Sequence, residues 1–256
     1  MHRILILAVA VSALAVKCGD SGTSPNQTGT LTISLTDAPA DVEQVNITFS
    51  EVSAHIGSEW VTVRSEPVTL DLLEWNNGKS IVLGTAEVPP GDYTQIRLMI
   101  DQAEVVSDGQ TYQATVPSGA RTGLKLVSGF SLEEGSTYEL VVDFDARRSV
   151  VATGPPGNPQ RFQLKPTVRV VPRALTGAIG GVLADTDHLP TAYAISGEDT
   201  VTSAAPDTTS GAFLLSFLPP AEYEVAIEDT LGRTFTQAAL SVTAGTTSEL
   251  GTIDLQ

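Results

Sequence analysis

The chain has 256 residues, of which 30 are acidic and 14 are basic, so its formal net charge at pH 7 is −16. Such a surplus of negative charge repels phosphate backbones and anionic lipid headgroups, which argues against nucleic-acid binding and against electrostatic docking on a membrane. The single cysteine leaves no disulfide framework within the chain and no cysteine-rich zinc site.

The N-terminal segment carries features of protein export. Arg3 is followed by an apolar run of thirteen residues, 4–16, and a helix needs ~20 apolar residues to cross a bilayer. The run therefore predicts the core of a signal peptide. The sole cysteine, Cys18, comes directly after Lys17 and starts a polar stretch rich in Gly and Ser.

This segment resembles a bacterial lipoprotein signal, in which the cysteine thiol is acylated and becomes the new N-terminus. The resemblance implies a signal peptide over residues 1–17, a lipid anchor on Cys18 that attaches the protein to a membrane, and a flexible tether over residues 18–28. Cleavage after Ala15 by an ordinary signal peptidase is the alternative, and it would release a secreted protein.

The rest of the chain alternates apolar and polar residues with a period of two, which predicts β-strands. The strands are separated by turns rich in Gly and Pro, and a short turn of helix is expected at most near residues 72–75. This pattern is typical of an all-β protein built from β-sandwiches. The alternating apolar positions include Leu31/Ile33/Leu35, Val45/Ile47/Phe49, Ile96/Leu98/Ile100, Leu140/Val142/Phe144 and Val168/Val170.

Length and composition predict two domains, because about 240 residues exceed the ~100 that one sandwich needs. The boundary is expected near Pro172-Arg173-Ala174, since residues 174–256 contain one basic residue, Arg233, against eleven acidic ones. The predicted domains are 29–173 and 174–256. The Gly- and Pro-rich stretch 154–159 is interpreted as a long hairpin loop inside the first.

Both predicted domains contain a tyrosine after a proline-rich turn. Tyr93 follows Val88-Pro89-Pro90-Gly91-Asp92, and Tyr223 follows Leu218-Pro219-Pro220-Ala221-Glu222. A tyrosine in this position is typical of a sandwich corner, in which the hydroxyl bonds to nearby backbone.

The first predicted domain contains a set of segments that is specific when taken together. They are Leu35-Thr36-Asp37-Ala38-Pro39-Ala40-Asp41, Gln44-Val45-Asn46-Ile47-Thr48, Asp71-Leu72-Leu73, Gly91-Asp92-Tyr93-Thr94-Gln95-Ile96-Arg97-Leu98, Gly123-Leu124-Lys125-Leu126, Asp143-Phe144-Asp145-Ala146-Arg147-Arg148-Ser149 and Leu164-Lys165-Pro166. Through these segments the domain resembles a family of bacterial lipoproteins known as domain of unknown function 4382, over about Gly29 to Arg173. The resemblance implies a β-rich surface lipoprotein and no established chemistry.

The second predicted domain contains its own set of characteristic segments. They are Gly177-Ala178-Ile179-Gly180-Gly181-Val182, Leu189-Pro190-Thr191-Ala192, Asp207-Thr208-Thr209-Ser210-Gly211-Ala212-Phe213 and Leu218-Pro219-Pro220-Ala221-Glu222-Tyr223, with Gly245 before Leu250. Through these segments the domain resembles the carboxypeptidase regulatory-like domain, a transthyretin-like (prealbumin-like) sandwich of seven strands. The fold is grouped with starch-binding-like modules, so the resemblance permits carbohydrate binding by analogy only.

Catalytic and metal-binding motifs are missing from the sequence. Past the signal only His55 and His188 remain as histidines, and neither a Gly-x-Ser-x-Gly elbow nor a His-Glu-x-x-His motif is present. We therefore expect no enzyme, no cofactor and no metal. Asp185, Asp187 and His188 lie in a predicted turn that is interpreted as solvated, with a cation site as the alternative.

Two groups of residues are candidates for a binding site. Sugar recognition uses exposed aromatic side chains, and the candidates are Trp75 beside a polar turn, then Trp60 and Tyr112. Trp60 lies at the start of a predicted strand and is expected mainly in the core, with ligand contact as the alternative. Charged residues inside predicted strands form the other group, which is expected to make a charge ladder on an outer sheet face or to line a polar ligand groove. Its members are Arg97, Lys125, Asp143, Asp145, Lys165 and Arg169.

Together these features predict a non-enzymatic lipoprotein of the cell envelope, held at the outer membrane or cell surface, that serves as a scaffold or as an adhesion or assembly module. Its expected partners are the membrane, through the lipid on Cys18, and a glycan or another envelope protein. A carbohydrate-binding surface module is the alternative function.

Overall fold

The computed structural model describes residues 27–154 and 161–256. The predicted signal peptide, Cys18, the Ala15 cleavage position and most of the predicted tether lie outside the described residues. Of the described residues, 65% are in strands and 7% in helices, which confirms the prediction of an all-β fold. None of the helices in this part of the chain is long and apolar enough to cross a membrane.

The strands before residue 173 form two sheets that enclose one core, and they are called the first unit here. The smaller sheet has four strands in the order β12-β9-β1-β5, and the other eight strands form the larger sheet around the central pair β2 and β6. The strands are β1 (Gly29–Ala38), β2 (Gln44–Ile56), β3 (Glu59–Arg64), β4 (Val68–Asp71), β5 (Ile81–Val88), β6 (Gly91–Ser107), β7 (Gln110–Thr115), β8 (Leu124–Leu132), β9 (Thr137–Asp145), β10 (Val150–Thr153), β11 (Arg161–Leu164) and β12 (Val168–Pro172).

Strand β1 lies in the middle of the smaller sheet, antiparallel to β5 and parallel to β9. Its apolar residues Leu31, Ile33 and Leu35 are fully buried, as the alternation predicts. The C-terminal half of β1 is buried on both faces, since Ser34 and Thr36, which alternate with these apolar residues, are also almost inaccessible. Something other than the larger sheet must therefore cover the second face.

That cover includes the second unit, which comprises the seven strands after residue 176. They form a three-stranded sheet in the order β16-β13-β19 and a four-stranded sheet in the order β15-β14-β17-β18, around a core of their own. The seven strands expected in this region are present. They are β13 (Gly177–Leu183), β14 (Thr191–Ser196), β15 (Asp199–Ala204), β16 (Ala212–Leu218), β17 (Ala221–Glu228), β18 (Thr234–Val242) and β19 (Thr247–Ile253).

Short helical segments occur only at connections within the described residues. The expected turn of helix is confirmed as a 3-10 segment over Leu72–Trp75, and a second 3-10 segment, Arg173–Leu175, links the two units. Two single-turn α-helices, α1 (Ser118–Arg121) and α2 (Ala146–Ser149), were not predicted. Each is too short to show a helical period in the sequence.

Both tyrosine corners are confirmed. The Tyr93 hydroxyl donates to the Pro89 carbonyl at 2.7 Å, and the Tyr223 hydroxyl donates to the Pro219 carbonyl at 2.8 Å. The hairpin around residues 154–159 is supported by its flanking strands, because β10 pairs with β11 in antiparallel register. Most of the loop itself lies outside the described residues.

The two units meet along the C-terminal half of β1 and its neighbours. Phe217 of β16 packs against Val141 and Val171 in a small buried cluster. Asn77 lies across the same contact, where its side chain accepts from the Leu214 amide at 2.6 Å and donates to the Ala212 carbonyl at 3.2 Å. Apolar packing and directed hydrogen bonds together fix the units against each other.

Candidate functional site

The outer face of the larger sheet brings together residues from four strands. A two-residue turn between β2 and β3, with Gly57 at φ 58°, sets the register that pairs His55 with Trp60. On the other side of β2, Ser53 pairs with Arg97 of β6. Arg97 in turn lies opposite Lys125 of β8.

Arg97 is the centre of this cluster. Its guanidinium carbon lies 4.3 Å from the centroid of the Trp60 ring, which is a cation–π contact. Its Nη2 donates to Glu51 Oε1 at 2.8 Å, and its Nε donates to Ser53 Oγ at 3.1 Å. Gly123 leaves room for the aliphatic part of Arg97, since a Cβ on that glycine would lie 2.4 Å from Arg97 Cδ.

Lys125 and His55 complete the cluster. The Lys125 ammonium lies 5.9 Å from the Trp60 centroid, and the His55 ring lies 4.9 Å from it at an angle of 56°. We call the five residues Glu51, His55, Trp60, Arg97 and Lys125 the Trp60 patch. The patch carries two positive charges against one negative charge, in a chain whose net charge is −16.

Like charges directly opposite each other on neighbouring strands are unfavourable. Arg97 is compensated by Glu51, whereas Lys125 is exposed and forms no salt bridge with any residue in 27–154 or 161–256. The arrangement thus presents an exposed ammonium group beside a guanidinium whose side chain is 22% exposed. Chemically, it can donate hydrogen bonds to an anionic or strongly polar ligand.

Trp60 was expected in the core but is half-buried on this outer face, whereas the other two aromatic candidates pack against the core. Trp75 was expected to be exposed, but it packs half-buried against the first-unit core and its enclosed Nε1 has no hydrogen-bond partner among the described residues. The 3-10 segment turns its indole toward the core. Tyr112 also packs against the core, 5.3 Å from the ring of Phe162.

The six residues of the expected charge ladder lie on different surfaces. Arg97 and Lys125 belong to the larger sheet, whereas Asp143, Asp145 and Arg169 belong to the smaller one and Lys165 lies exposed between β11 and β12. The prediction that all six residues form one charge ladder on an outer sheet face is therefore wrong. The physical reason is that β6 and β9 belong to opposite sheets of the sandwich.

Asp143 and Arg169 do meet across neighbouring strands, but in a buried place. They are directly paired in the β9–β12 register, with Arg169 Nη2 2.5 Å from Asp143 Oδ2, although the N–H groups of that nitrogen are not well aligned on the carboxylate. Arg169 Nη1 donates to the Phe217 carbonyl at 2.8 Å. The second unit covers this pair, so its face of the sheet is not an outer face.

Asp145 has a local role. One of its carboxylate oxygens accepts from the Arg148 amide at 2.9 Å and so caps the short helix α2. Its contact with the Arg148 side chain is longer, at 3.9 Å.

Asp37 is a buried carboxyl that sequence reasoning missed. It is 3% exposed, its Oδ1 accepts from the Ala146 amide at 2.9 Å, and its Oδ2 has no partner among the described residues. Burial raises the pKa of Asp37 well above its ordinary value, and Asp143 and Asp145 nearby add to the rise. Burial also raises the pKa of Asp143, against the opposing effect of Arg169. The available signal was an acid inside the apolar alternation of β1.

The Asp185, Asp187 and His188 turn is organised by an arginine. Asp185 Oδ2 accepts from Arg233 Nη1 at 2.9 Å, and Asp185 Oδ1 accepts from the Asp187 amide at 2.8 Å. These bonds lower the pKa of Asp185. The described residues contain no group of three His, Cys, Asp or Glu side chains placed to hold a metal ion.

A cleft of about 500 Å³ lies between the two units. On the first unit its lining combines three acidic side chains with apolar residues and one arginine, and on the second it consists of apolar and hydroxyl groups. None of the residues predicted for the site from sequence lines it. Its lining includes Asp41, Glu43, Asp108, Arg147, Leu189 and Pro206.

With the fold and the Trp60 patch established, the chain can be compared with known proteins. The model of the family described as domain of unknown function (DUF4382) matches residues 28–166, more than half of the chain. The chain belongs to this family. The DUF4382 region contains the whole Trp60 patch.

Solved structures with some similarity include the Bacillus anthracis TIE protein, at 15% identity and a TM-score of 0.22 over 90% of this chain and 34% of that one. A fimbrial protein from Bacteroides ovatus has 9% identity and a TM-score of 0.23 over 90% of this chain and 50% of that one. GBS52, the minor pilin of Streptococcus agalactiae, has 12% identity and a TM-score of 0.23 over 89% of this chain and 95% of that one. No curated protein matches the chain. TM-scores this low carry no functional conclusion.

Proposed function

We propose that the protein is a non-enzymatic module of the cell envelope that serves as a surface scaffold or in adhesion and assembly. It is held by a lipid on Cys18, and the domains are 29–173 and 174–256, the second being carboxypeptidase regulatory-like. The seven strands and the Tyr223 corner of the second unit support that last assignment. Release after Ala15 is the alternative to the anchor.

The observation that carries this proposal is the joint between the units. A scaffold must transmit position and load, and here one buried contact combines the Phe217 cluster, the Asn77 hydrogen bonds and the Arg169–Asp143 pair. The described chain enters at the other end of β1, because five residues separate Gly29 from Ser34, where the joint begins, about 17 Å at 3.3 Å per residue. A tether at the N-terminus would hold the second unit away from the membrane.

The experiment is an intact-mass measurement of the mature N-terminus combined with membrane fractionation of the wild type and of Cys18→Ser. The proposal expects an acylated Cys18, a membrane-associated wild type and a soluble variant. A mature protein that starts at Val16 with a free thiol would overturn the anchor. Turnover of any substrate by the purified protein would overturn the non-enzymatic assignment.

Glycan binding is a second candidate function, and the Trp60 patch is the observation that favours it. An aromatic ring, a histidine and two cations lie together on a flat outer sheet face. Glycan-array binding that is lost in Trp60→Ala and kept in Trp75→Phe would support it. An array on which no glycan is bound would refute glycan binding. If the protein then captures envelope proteins, only the scaffold function remains supported.

A further inference from the structure

The Trp60 patch does not present an open aromatic platform. The Arg97 guanidinium lies over the Trp60 ring at 4.3 Å, so one face of the indole is already covered by a protein group. The groups of the patch that a ligand can contact are therefore mainly the cationic side chains of Arg97 and Lys125. The cation–π contact with Trp60 limits the orientations of the long Arg97 side chain before any ligand arrives.

The hydrogen-bonding capacity of the patch is only partly used. A guanidinium has five N–H groups. Arg97 donates one N–H group to Glu51 and one to Ser53, and its other N–H groups have no partner among the described residues. Lys125 lies directly across the strand pair, and its ammonium has no carboxylate partner in the same part of the chain. An anionic group seated between them would also relieve the repulsion between the two cations.

We propose that the Trp60 patch binds an acidic polysaccharide, with a carboxylate of the sugar chain seated between Arg97 and Lys125. This inference rests on the second candidate function, glycan binding, and names its ligand class. Carboxylate matches the patch because guanidinium and ammonium groups form charge-assisted hydrogen bonds to its oxygens. Trp60 is a positioning residue for Arg97 in this site.

The surroundings favour a thin sugar chain over a broad anionic surface. The row beside Arg97 and Lys125 consists of His55, Gln95 and Val127, which are paired across β2, β6 and β8. Val127 is 86% exposed and gives an apolar contact beside polar groups, as a sugar ring requires. An anionic bilayer or a duplex would bring many negative charges close to a chain of net charge −16, whereas one extended polymer can reach the patch alone.

The test measures binding of the full-length protein to polygalacturonate and to its fully methyl-esterified form, which has the same backbone without the charge. We expect the acid form to bind and the ester to bind at least about tenfold more weakly, the loss that one charged hydrogen bond typically causes. Lys125→Glu should weaken binding to the acid form by at least about tenfold. Lys165→Glu is the matched control, since it makes the same charge change at an exposed lysine outside the patch, and it should change binding by less than about twofold.

Because Lys125 is exposed, its substitution should leave the fold intact, and the far-UV spectrum and thermal midpoint verify this. The difference between the wild type and Lys125→Glu should shrink at high salt, since exposed charges are screened. Equal binding of acid and ester, or Lys125→Glu equal to Lys165→Glu, overturns the inference. If neutral glycans still bind in a Trp60-dependent manner, glycan binding survives that failure. Lys125-dependent binding to vesicles containing phosphatidylglycerol, without binding to polygalacturonate, overturns the inference in favour of a lipid headgroup.

Discussion

Replacement of Arg169 by methionine should both destabilise the protein and uncouple its two units. Arg169 neutralises Asp143, which is 4% exposed, and it also bonds to the Phe217 carbonyl across the joint. Removal of one partner of a buried ion pair leaves an uncompensated charge, which costs about 3–5 kcal/mol. Asp143→Asn in the same chain removes that charge and should recover most of the loss.

The assay uses the distribution of tryptophans. Both Trp60 and Trp75 lie in the first unit, so tryptophan fluorescence follows that unit, whereas far-UV circular dichroism follows both. In urea the two signals should change together in the wild type, because the joint couples the units. In Arg169→Met the midpoints should fall and separate.

Arg148→Met is the matched control for this prediction. Arg148 is also an arginine beside a carboxylate of the smaller sheet, but its side chain is 55% exposed and its contact with Asp145 is 3.9 Å. Its loss should change the free energy of unfolding by less than about 0.5 kcal/mol. If Arg169→Met costs no more than Arg148→Met and both signals still change together, the assignment of the joint is refuted.

Three further substitutions test buried features. Asp37→Asn should flatten the pH dependence of stability. A raised pKa means that the folded state holds the proton more tightly, so wild-type stability increases as the pH falls through that raised pKa toward the ordinary carboxyl pKa of about 4. Tyr93→Phe should cost about 0.5–1.5 kcal/mol in urea, through loss of the hydrogen bond to Pro89. Gly211→Ala should cost more than about 2 kcal/mol or prevent folding, because its φ is 73° and the added Cβ would lie 2.1 Å from the Leu183 carbonyl oxygen.

Each of these substitutions has its own contrary result. An unchanged slope of stability against pH in Asp37→Asn would show that the carboxyl is ionised in the fold. A Tyr93→Phe variant as stable as the wild type would mean that the corner hydroxyl adds nothing. Gly197→Ala controls for Gly211, since its φ is 64° but no atom lies within 4 Å of the added Cβ. Equal losses at both glycines would remove the steric argument.

Local patterns predicted the elements of this fold well because the relevant physics is local. The alternation at Leu31, Ile33 and Leu35 marks a core-facing strand whatever its partners are, and all three are fully buried. The tyrosine corners are equally local, since each hydroxyl bonds four residues back along the chain. Neither feature depends on which strands pair.

The site could not be assembled in the same way. Trp60 and Arg97 were each identified, but their contact depends on two registers, β3 on β2 and β2 on β6. Asp143 illustrates the other difficulty. The alternation of apolar and polar residues along β9 correctly placed Asp143 on the face that points away from the first-unit core. That face is covered by the second unit, and no local sequence pattern encodes the position of the second unit. Burial on both faces changed an expected surface charge into an interior one.

The central position of β1 has a mechanical consequence. A pull that enters at Gly29 and leaves through the joint runs along β1, because the joint covers only the C-terminal half of the strand. Nine consecutive residue pairs with parallel β9, from Thr30↔Thr137 to Ala38↔Asp145, then bear the force side by side. Such a pair yields by sliding all of its hydrogen bonds at once, whereas a strand peeled from a sheet edge gives way one bond at a time. The connection between the N-terminus and the second unit is thus arranged in shear.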